Sequence, residues 1–345
     1  MTINERGRAI ARLGIEIDKI RSLKSAAYLA VCNQAYLKNN WFTAENIDKA
    51  LEAWSAELTE EKIRKWISTY KDKTPAEKKI GVINAGNIPL TGLHDMISIL
   101  LAGHFYSGKN AAEDNLLLPF VASLLTGIEP AFEERIRFEN KLSGFDAVIA
   151  TGSNNSSRYF ESYFAKVPHI IRKNRNGIAV LSGKESKDDL EKLGKDIFQY
   201  FGLGCRNISK MYVPEGYDFK FFFESIYSFH PIMQHNKYMN NFDYNNVMLL
   251  MKQIPFLQNG FLIIHEDERI ASPIAVVHYE FYEETKMLVE KLDLDETQIQ
   301  CVVSGEKINL KSALNNRQVY FGEAQTPALS DYADGVDTMQ FLLSL

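Results

Sequence analysis

The sequence has no surplus of positive charge, no cysteine framework and no long apolar run, and each lack removes a class of function. Lys and Arg number 39 against 44 Asp and Glu, for a net charge of −5. Without a basic surplus there is no broad electrostatic footprint for nucleic acid, although a local basic pocket for a phosphorylated small ligand stays open. There are three cysteines, Cys32, Cys205 and Cys301. An odd number at wide spacing is not a disulfide scaffold, and no Cys-x-x-Cys pair or Cys/His cluster has the spacing of a zinc site. His230 and His235, with Pro231 between them, also miss the helical spacing of zinc ligands, so no metal is expected. Thiols at wide spacing fit a reducing, cytoplasmic compartment. Met1 to Arg8 is polar and lacks the apolar core of a signal peptide. No uninterrupted apolar stretch approaches the roughly 20 residues that span a bilayer. No internal repeat or low-complexity segment occurs.

What is present is an ordinary globular composition, 46% apolar and 24% charged over 345 residues, long enough for two domains. The chain starts with helical patterns. Residues 8–36 read as helix, with Ile10, Leu13, Ile17, Ile20 and Leu23 on one face. Thr43 and Thr59 open two more helices as N-caps. From Lys79 short apolar runs alternate with helical patterns: strands at Ile80–Asn84, Phe105–Ser107 and Phe145–Ala150, each followed by a turn and a helix. Two further strand runs, His169–Ile171 and Ile178–Leu181, flank the turn residues Asn174–Gly177, the best candidate for a domain crossing. Helix Ser186–Tyr200, strand Ser209–Val213, helices near 218–227 and 243–253, strands at 261–264 and 274–277, helix 283–292 and strand 299–303 follow. This alternation predicts parallel α/β sheets, whose strand-to-helix turns are where nucleotides bind.

Four short features carry the candidate chemistry. Cys205 lies in Gly202-Leu203-Gly204-Cys205-Arg206, a turn between helix and strand. Partial exposure there favours a reactive thiolate, while the alternative is a small buried hydrophobe. Cys32 and Cys301 fall inside apolar patterns and read as core. Asn87, on the turn before Pro89, is either an amide donor to an oxyanion or a helix cap. Lys109, after Gly108, is either a ribose or phosphate contact or a surface lysine. Gly152-Ser153 opens a helix directly after a strong strand, a position that suits pyrophosphate, although the Gly-x-Gly-x-x-Gly pattern is absent.

The order of these features is more specific than any one of them. Asn87-Ile88-Pro89-Leu90, Gly108-Lys109, Gly152-Ser153 with Arg158, Gly183-Lys184 and Gly204-Cys205 together resemble the aldehyde dehydrogenase superfamily over about residues 79–215. Glu268-Arg269-Ile270-Ala271-Ser272-Pro273 and Phe321-Gly322 extend the likeness more weakly. Within that superfamily the short chain, the run Gly86 to Leu93 and the stretch Tyr320 to Gly335 look most like the acyl-CoA reductases related to the luminescence fatty-acyl reductase (LuxC type). The resemblance implies an α/β fold of two Rossmann-type domains with a helical N-terminus. It also implies NADPH-dependent reduction of a fatty acyl-CoA to the aldehyde through an acyl-cysteine. On that basis residues 1–78 are a helical region packed on the cofactor domain, 79–180 the nucleotide-binding domain, 181–318 the catalytic domain carrying Cys205, and 319–345 a C-terminal tail. Cys205 and Asn87 are then the catalytic pair, and Lys109, Gly152, Ser153 and Glu268 hold the cofactor. The resemblance allows a homo-oligomer.

Three departures bear on this reading. Val180, in Val180-Leu181-Ser182-Gly183-Lys184, stands where the family has the glutamate of Glu-Leu-Gly-Gly-Lys, which activates water. Losing such a base costs about 10²–10⁴-fold in hydrolysis, whereas exchange with the CoA thiolate needs no activated water. Arg269 occupies the place of the glutamate that holds the nicotinamide ribose, with Glu268 one residue off. Ala112, three beyond Lys109, is neutral where NAD-preferring members are acidic, which favours NADPH and leaves NADH open. The alternatives are an acyl-phosphate-reducing semialdehyde dehydrogenase of the same fold, or a catalytically silent partner subunit.

Overall fold

The computed structural model describes residues 1–70 and 75–345. Its contacts divide the chain into two compact units, Met1–Lys173 together with Ala328–Leu345, and Asn174–Pro327.

The first unit opens with helices α1 (Ile3–Ser22), α2 (Ala26–Lys38), α3 (Ala44–Glu57) and α4 (Glu60–Ile67). Each starts on a hydroxyl that accepts a backbone N–H: Thr2, Ser25, Thr43 and Thr59. One such cap is typically worth about 1 kcal/mol. The single helix expected over 8–36 is in fact two. Lys24 takes a left-handed φ of 46°, Leu23 is 71% exposed, and Ser25 restarts the helix by capping Tyr28. With no burial to gain at Leu23, the local cap wins over continuity. Ile10, Leu13, Ile17 and Ile20 are buried as the periodicity predicts.

Strand β1 (Lys79–Ile83), α5 (Leu93–Ala102), β2 (Phe105–Lys109), α6 (Leu117–Ile128), β3 (Ile136–Phe138), β4 (Ala147–Thr151), α7 (Asn154–Phe164) and β5 (His169–Arg172) follow. The five strands form a parallel sheet in the order β3-β2-β1-β4-β5. In the inner strand β4, Ala147 to Ala150 is an unbroken apolar run because both faces are covered. Strand β3 has one buried residue in three, too little to leave a pattern in the sequence. The chain builds outward from β1 through β2 to β3, then returns to β4 on the other side, so the sheet's winding reverses between β1 and β4. The segment from Ala328 rejoins this unit. Tyr332 accepts a hydrogen bond from Trp66 Nε1 at 2.6 Å, His94 Nε2 bonds the Leu329 carbonyl at 2.9 Å, and the final helix, Thr338–Leu343, packs on α5.

The second unit contains β6 (Asn176–Val180), α8 (Lys187–Phe198), β7 (Ile208–Pro214), α9 (Phe219–Ser225), α10 (Asn236–Met251), β8 (Leu257–Gln258), β9 (Ile263–Glu266), β10 (Val276–Tyr282), α11 (Thr285–Leu294), β11 (Ile299–Ser304) and β12 (Gln318–Val319). The sheet order is β12-β11-β6-β7-β10-β9-β8, parallel except for the β8–β9 pair. Strand β6, which the sequence places before a boundary at 180/181, belongs here because it pairs with both β7 and β11. The strand expected at 274–277 starts later and runs further, through His278 and Glu280, since these polar residues have internal partners. The helix expected at 218–227 gives way to the 3-10 turn Tyr227–Gln234, which contains Pro231; proline lacks the N–H that a continuing α-helix needs. Helix α10 begins at Asn236, seven residues before the expected 243. Among the described residues no helix is long and apolar enough to cross a membrane.

Candidate functional site

In the first unit the residues singled out from the sequence gather at one edge of the sheet, the C-terminal ends of its central strands. Lys109 ends β2, beside Ile83 at the end of β1, and Ile83 in turn lies beside Ala150 near the end of β4. Neighbouring strands are about 4.8 Å apart, so this row spans about 10 Å. Lys109 is exposed and Asn87 is exposed on the turn beyond β1. The turn itself is held from below. Asn84 Nδ2 donates to Tyr106 Oη at 2.7 Å and to Asn110 Oδ1 at 2.8 Å, and Thr91 Oγ1 donates to the Ala85 carbonyl at 2.7 Å. Asp114 accepts the Leu90 and Leu117 N–H groups; burial pushes its carboxyl up to about 6.

Beyond β4, Ser153 is the N-cap of α7, accepting the Ser156 N–H at 3.2 Å. Gly152 is required by close approach: a Cβ there would sit 2.9 Å from the Phe160 ring. The turns at 84–89 and 151–153 flank the point where the winding reverses, the place where open parallel sheets bind their ligands. An exposed lysine, a bare glycine turn and the N-terminus of an 11-residue helix suit the phosphates of a dinucleotide. The residues present therefore fit the group that the resemblance implies.

In the second unit Cys205 lies on the loop between α8 and β7. It is the exposed thiol of the three; Cys32 and Cys301 are buried. Burial pushes the Cys301 thiol up to about 11 and raises that of Cys32, so both are poor nucleophiles. The loop is strained. Tyr200, Phe201 and Gly202 take successive left-handed φ values of 54°, 58° and 79°. Two of these are bulky residues, each costing on the order of 1–3 kcal/mol. Phe201 offsets part of that by packing against the His235 ring, centroids 4.2 Å apart and planes tilted by 33°.

Asn207, 2% exposed, ties the loop together. Its Nδ2 donates to the carbonyls of Asp196, Ile197 and Gln199 at 3.2, 3.1 and 2.8 Å, and its Oδ1 accepts the Gly204 N–H at 2.8 Å. One side chain thus satisfies carbonyls at the end of α8 that have no helical partner. Asn207→Ala leaves buried backbone groups unpaired and is expected to destabilise the second unit by about 1–3 kcal/mol. Chemical unfolding of the variant checks this, and an unchanged midpoint would remove Asn207 from the support of the loop.

The segment after β12 is fastened beside this loop. Asp196 on α8 accepts the Gly322 and Ala324 N–H groups at 2.6 and 3.0 Å, and Arg206 Nε donates to the Ala324 carbonyl at 2.6 Å. Burial pushes the Asp196 carboxyl from 3.8 up to about 7, against the pull of those two N–H groups. Between those values the unfolded chain has lost its proton and the folded chain still holds it, so this group's stabilising contribution is lost as pH rises from about 4 to 7. Asp196→Asn removes the titration. The wild-type unfolding free energy, less that of the variant, is expected to fall by a few kcal/mol at most between about pH 4 and 7.5. Denaturation at both pH values checks it, and a flat or rising difference would show that the carboxylate is already ionised at the acidic end.

Val180 does not stand where a base for Cys205 would have to be. It ends β6 and pairs with Tyr212, near the end of β7, whereas Cys205 precedes Ile208, which pairs with Gly177 near the start of β6. At about 3.3 Å per residue the two lie at opposite ends of the strands, roughly 13 Å apart before the loop is counted. Val180 instead lines a cleft of about 760 Å³ with Ser182, Lys184 and Lys307.

Glu268 is exposed on the loop between β9 and β10, and its carbonyl accepts the buried Lys210 ammonium at 2.8 Å. Arg269 turns back on Asp267, Nε to Oδ1 at 2.9 Å, and its guanidinium holds that carboxyl below the usual range. Beside them the structure brings together His265, Asp267 and His278, a group absent from the sequence-level candidates. Its histidines sit on two paired strands, 13 positions apart in the chain, so only the strand register reveals them.

No family model matches this sequence, and no curated protein matches it. Solved structures do. Aldehyde dehydrogenase 21 from Physcomitrella patens, in complex with the reaction product succinate, superposes with a TM-score of 0.71 at 12% identity, over 100% of this chain and 84% of that one. An NAD-dependent benzaldehyde dehydrogenase from Corynebacterium glutamicum gives 0.68 at 11%, over 93% and 81%. A mutant of aldehyde dehydrogenase C from Pseudomonas syringae, in complex with NAD+ and octanal, gives 0.65 at 13%, over 93% and 77%. The chain therefore has the aldehyde dehydrogenase fold, as the sequence motifs imply.

Proposed function

We propose that this protein reduces an acyl-CoA thioester to the aldehyde with NADPH, through an acyl group carried on Cys205. The observation that carries the reading is the exposed Cys205 thiol on a strained, Asn207-tied loop, in a chain whose two other thiols are buried. The Cys205 thiolate attacks the thioester carbonyl and the CoA thiolate leaves, so one thioester replaces another without water or an added base. Such an exchange needs no general base beside Cys205, so the register that takes Val180 away from that position leaves this reading unchanged. For Asn87 the proposed role is an amide donor to the developing oxyanion, on the strength of the resemblance and its exposure.

Gly152, Ser153 and Lys109 would hold the phosphates and adenosine end of the cofactor, and Glu268 its nicotinamide ribose. Bound NADPH would supply the hydride that takes the acyl-cysteine to the aldehyde level. Collapse of the resulting thiohemiacetal returns the thiolate on Cys205 and frees the aldehyde. The test follows NADPH absorbance with a chain-length series of acyl-CoAs and then with acyl-phosphates. Oxidation of NADPH with acyl-CoA supports the reading. Turnover of acyl-phosphate alone would replace the substrate class, and no turnover of either would indicate a silent subunit.

A further inference from the structure

His265 and His278 face each other across the β9–β10 pair, in direct register, with ring centroids 4.7 Å apart and planes at 67°. Asp267 follows His265 by two positions and so falls on the same side of the sheet. One nitrogen from each ring and one Asp267 oxygen lie within 4.8 Å of one another. The hydrogen bonds fix where the ring protons are. His278 Nδ1 is 2.8 Å from the Arg269 carbonyl and His265 Nδ1 is 3.2 Å from the Glu266 carbonyl. A carbonyl only accepts, so both Nδ1 atoms carry the proton and both Nε2 atoms present lone pairs. His278 is completely buried, and its Nε2 has no hydrogen-bond partner. A buried nitrogen without a partner is costly. Two imidazoles anchored to backbone carbonyls through Nδ1, each keeping a lone pair on Nε2, and grouped with a carboxylate, have the donor set of metal-binding histidines.

We propose that His265, Asp267 and His278 bind one divalent transition metal ion of the zinc class. Two imidazoles and one carboxylate suit zinc, cobalt or nickel rather than calcium or magnesium, which prefer all-oxygen sets. At about 2.0–2.1 Å per ligand bond a tetrahedral ion needs its ligand atoms roughly 3.3 Å apart, within reach of side-chain adjustment from the observed spacing. Water would complete the coordination. The Arg269 guanidinium now holds the carboxylate that the ion would share, and its side chain is 72% exposed, so it can leave for solvent at little cost. The ion would pin the loop carrying Glu268 to strands β9 and β10. These three side chains would hold the ion whatever the reaction assigned above.

Metal-stripped full-length protein titrated with Zn²⁺ by calorimetry, and with Co²⁺ by visible absorption, tests the proposal. One ion per chain is expected, with the absorption of a four-coordinate cobalt site. His278→Ala and, should that variant fold poorly by circular dichroism, Asp267→Asn are expected to weaken binding at least about 10–100-fold. Arg269→Ala removes the competing cation and is expected to tighten binding several-fold. No stoichiometric binding, or binding unchanged in Asp267→Asn and His278→Ala, would overturn the assignment.

Discussion

Cys205→Ala is expected to abolish both CoA release and aldehyde formation, with a loss of at least about 10³-fold, while NADPH binding stays within about twofold of wild type. The size of the effect follows from the role. A nucleophile that forms the covalent intermediate has no substitute at its position, and groups that act as a unit lose nearly the whole effect when one is removed. The two remaining thiols cannot stand in, since both are buried and burial raises both. Cofactor binding should survive because Gly152, Ser153 and Lys109 belong to the other unit. Stopped-time assays of free CoA and aldehyde, beside a fluorescence titration with NADPH, measure both halves. Wild-type turnover by the variant would remove Cys205 from the reaction.

Asp95→Ala is the substitution expected to cost most in stability. Asp95 and Arg172 are 3% and 7% exposed and form a bidentate pair at 2.6 and 2.7 Å. The same guanidinium donates to Thr338 Oγ1 at 3.1 Å, so α5, β5 and the C-terminal helix meet at one charge. Removing the carboxylate alone leaves a buried cation, which costs about 3–5 kcal/mol. Replacing both partners, Asp95→Leu with Arg172→Met, is expected to recover much of that loss, because the desolvation of both charges disappears as well. Trp41, Trp54 and Trp66 all lie in the first unit, so tryptophan fluorescence during urea unfolding reads this unit directly. A single variant as stable as wild type, or a double variant less stable than the single, would contradict the account.

Much of the fold was legible because its strands are buried on both faces. Runs such as Ala147 to Ala150 have no surface side to interrupt them, and the turns that follow carry glycine, asparagine and serine. What stayed hidden had a physical reason in each case. The break at Lys24 is decided by one serine cap, which helical periodicity does not weigh. Strand β10 continues through His278 and Glu280, polar residues whose partners, the Arg269 carbonyl and Lys210, come from other segments of the folded chain. Val180 shows the limit of motif matching most sharply. Its Gly183-Lys184 neighbours match the family pattern, yet the strand register puts it at the far end of β6 from Cys205.

For the candidate site, the sequence placed Asn87, Lys109, Gly152 and Ser153 on turns at strand ends, and the sheet order then gathers them where its winding reverses. It also set Cys205 on an exposed turn and Cys32 and Cys301 in the core, as the structure finds, but it could not show that Asn207 ties the Cys205 loop. That depends on how α8 ends. Three successive left-handed residues turn the chain there, and an asparagine just ahead of a strand gives no hint that its amide reaches back to the helix. Lys210 was hidden for a related reason. It is a buried ammonium held by Glu280 from a neighbouring strand, and apolar periodicity assigns no place in the core to a lysine.

The most direct measurement is intact-mass spectrometry of the wild-type protein after mixing with an acyl-CoA in the absence of NADPH, followed by peptide mapping. The account predicts one added acyl group, on Cys205, with Cys32 and Cys301 unmodified. No adduct, or an adduct on another residue while Cys205 stays unmodified, would contradict it.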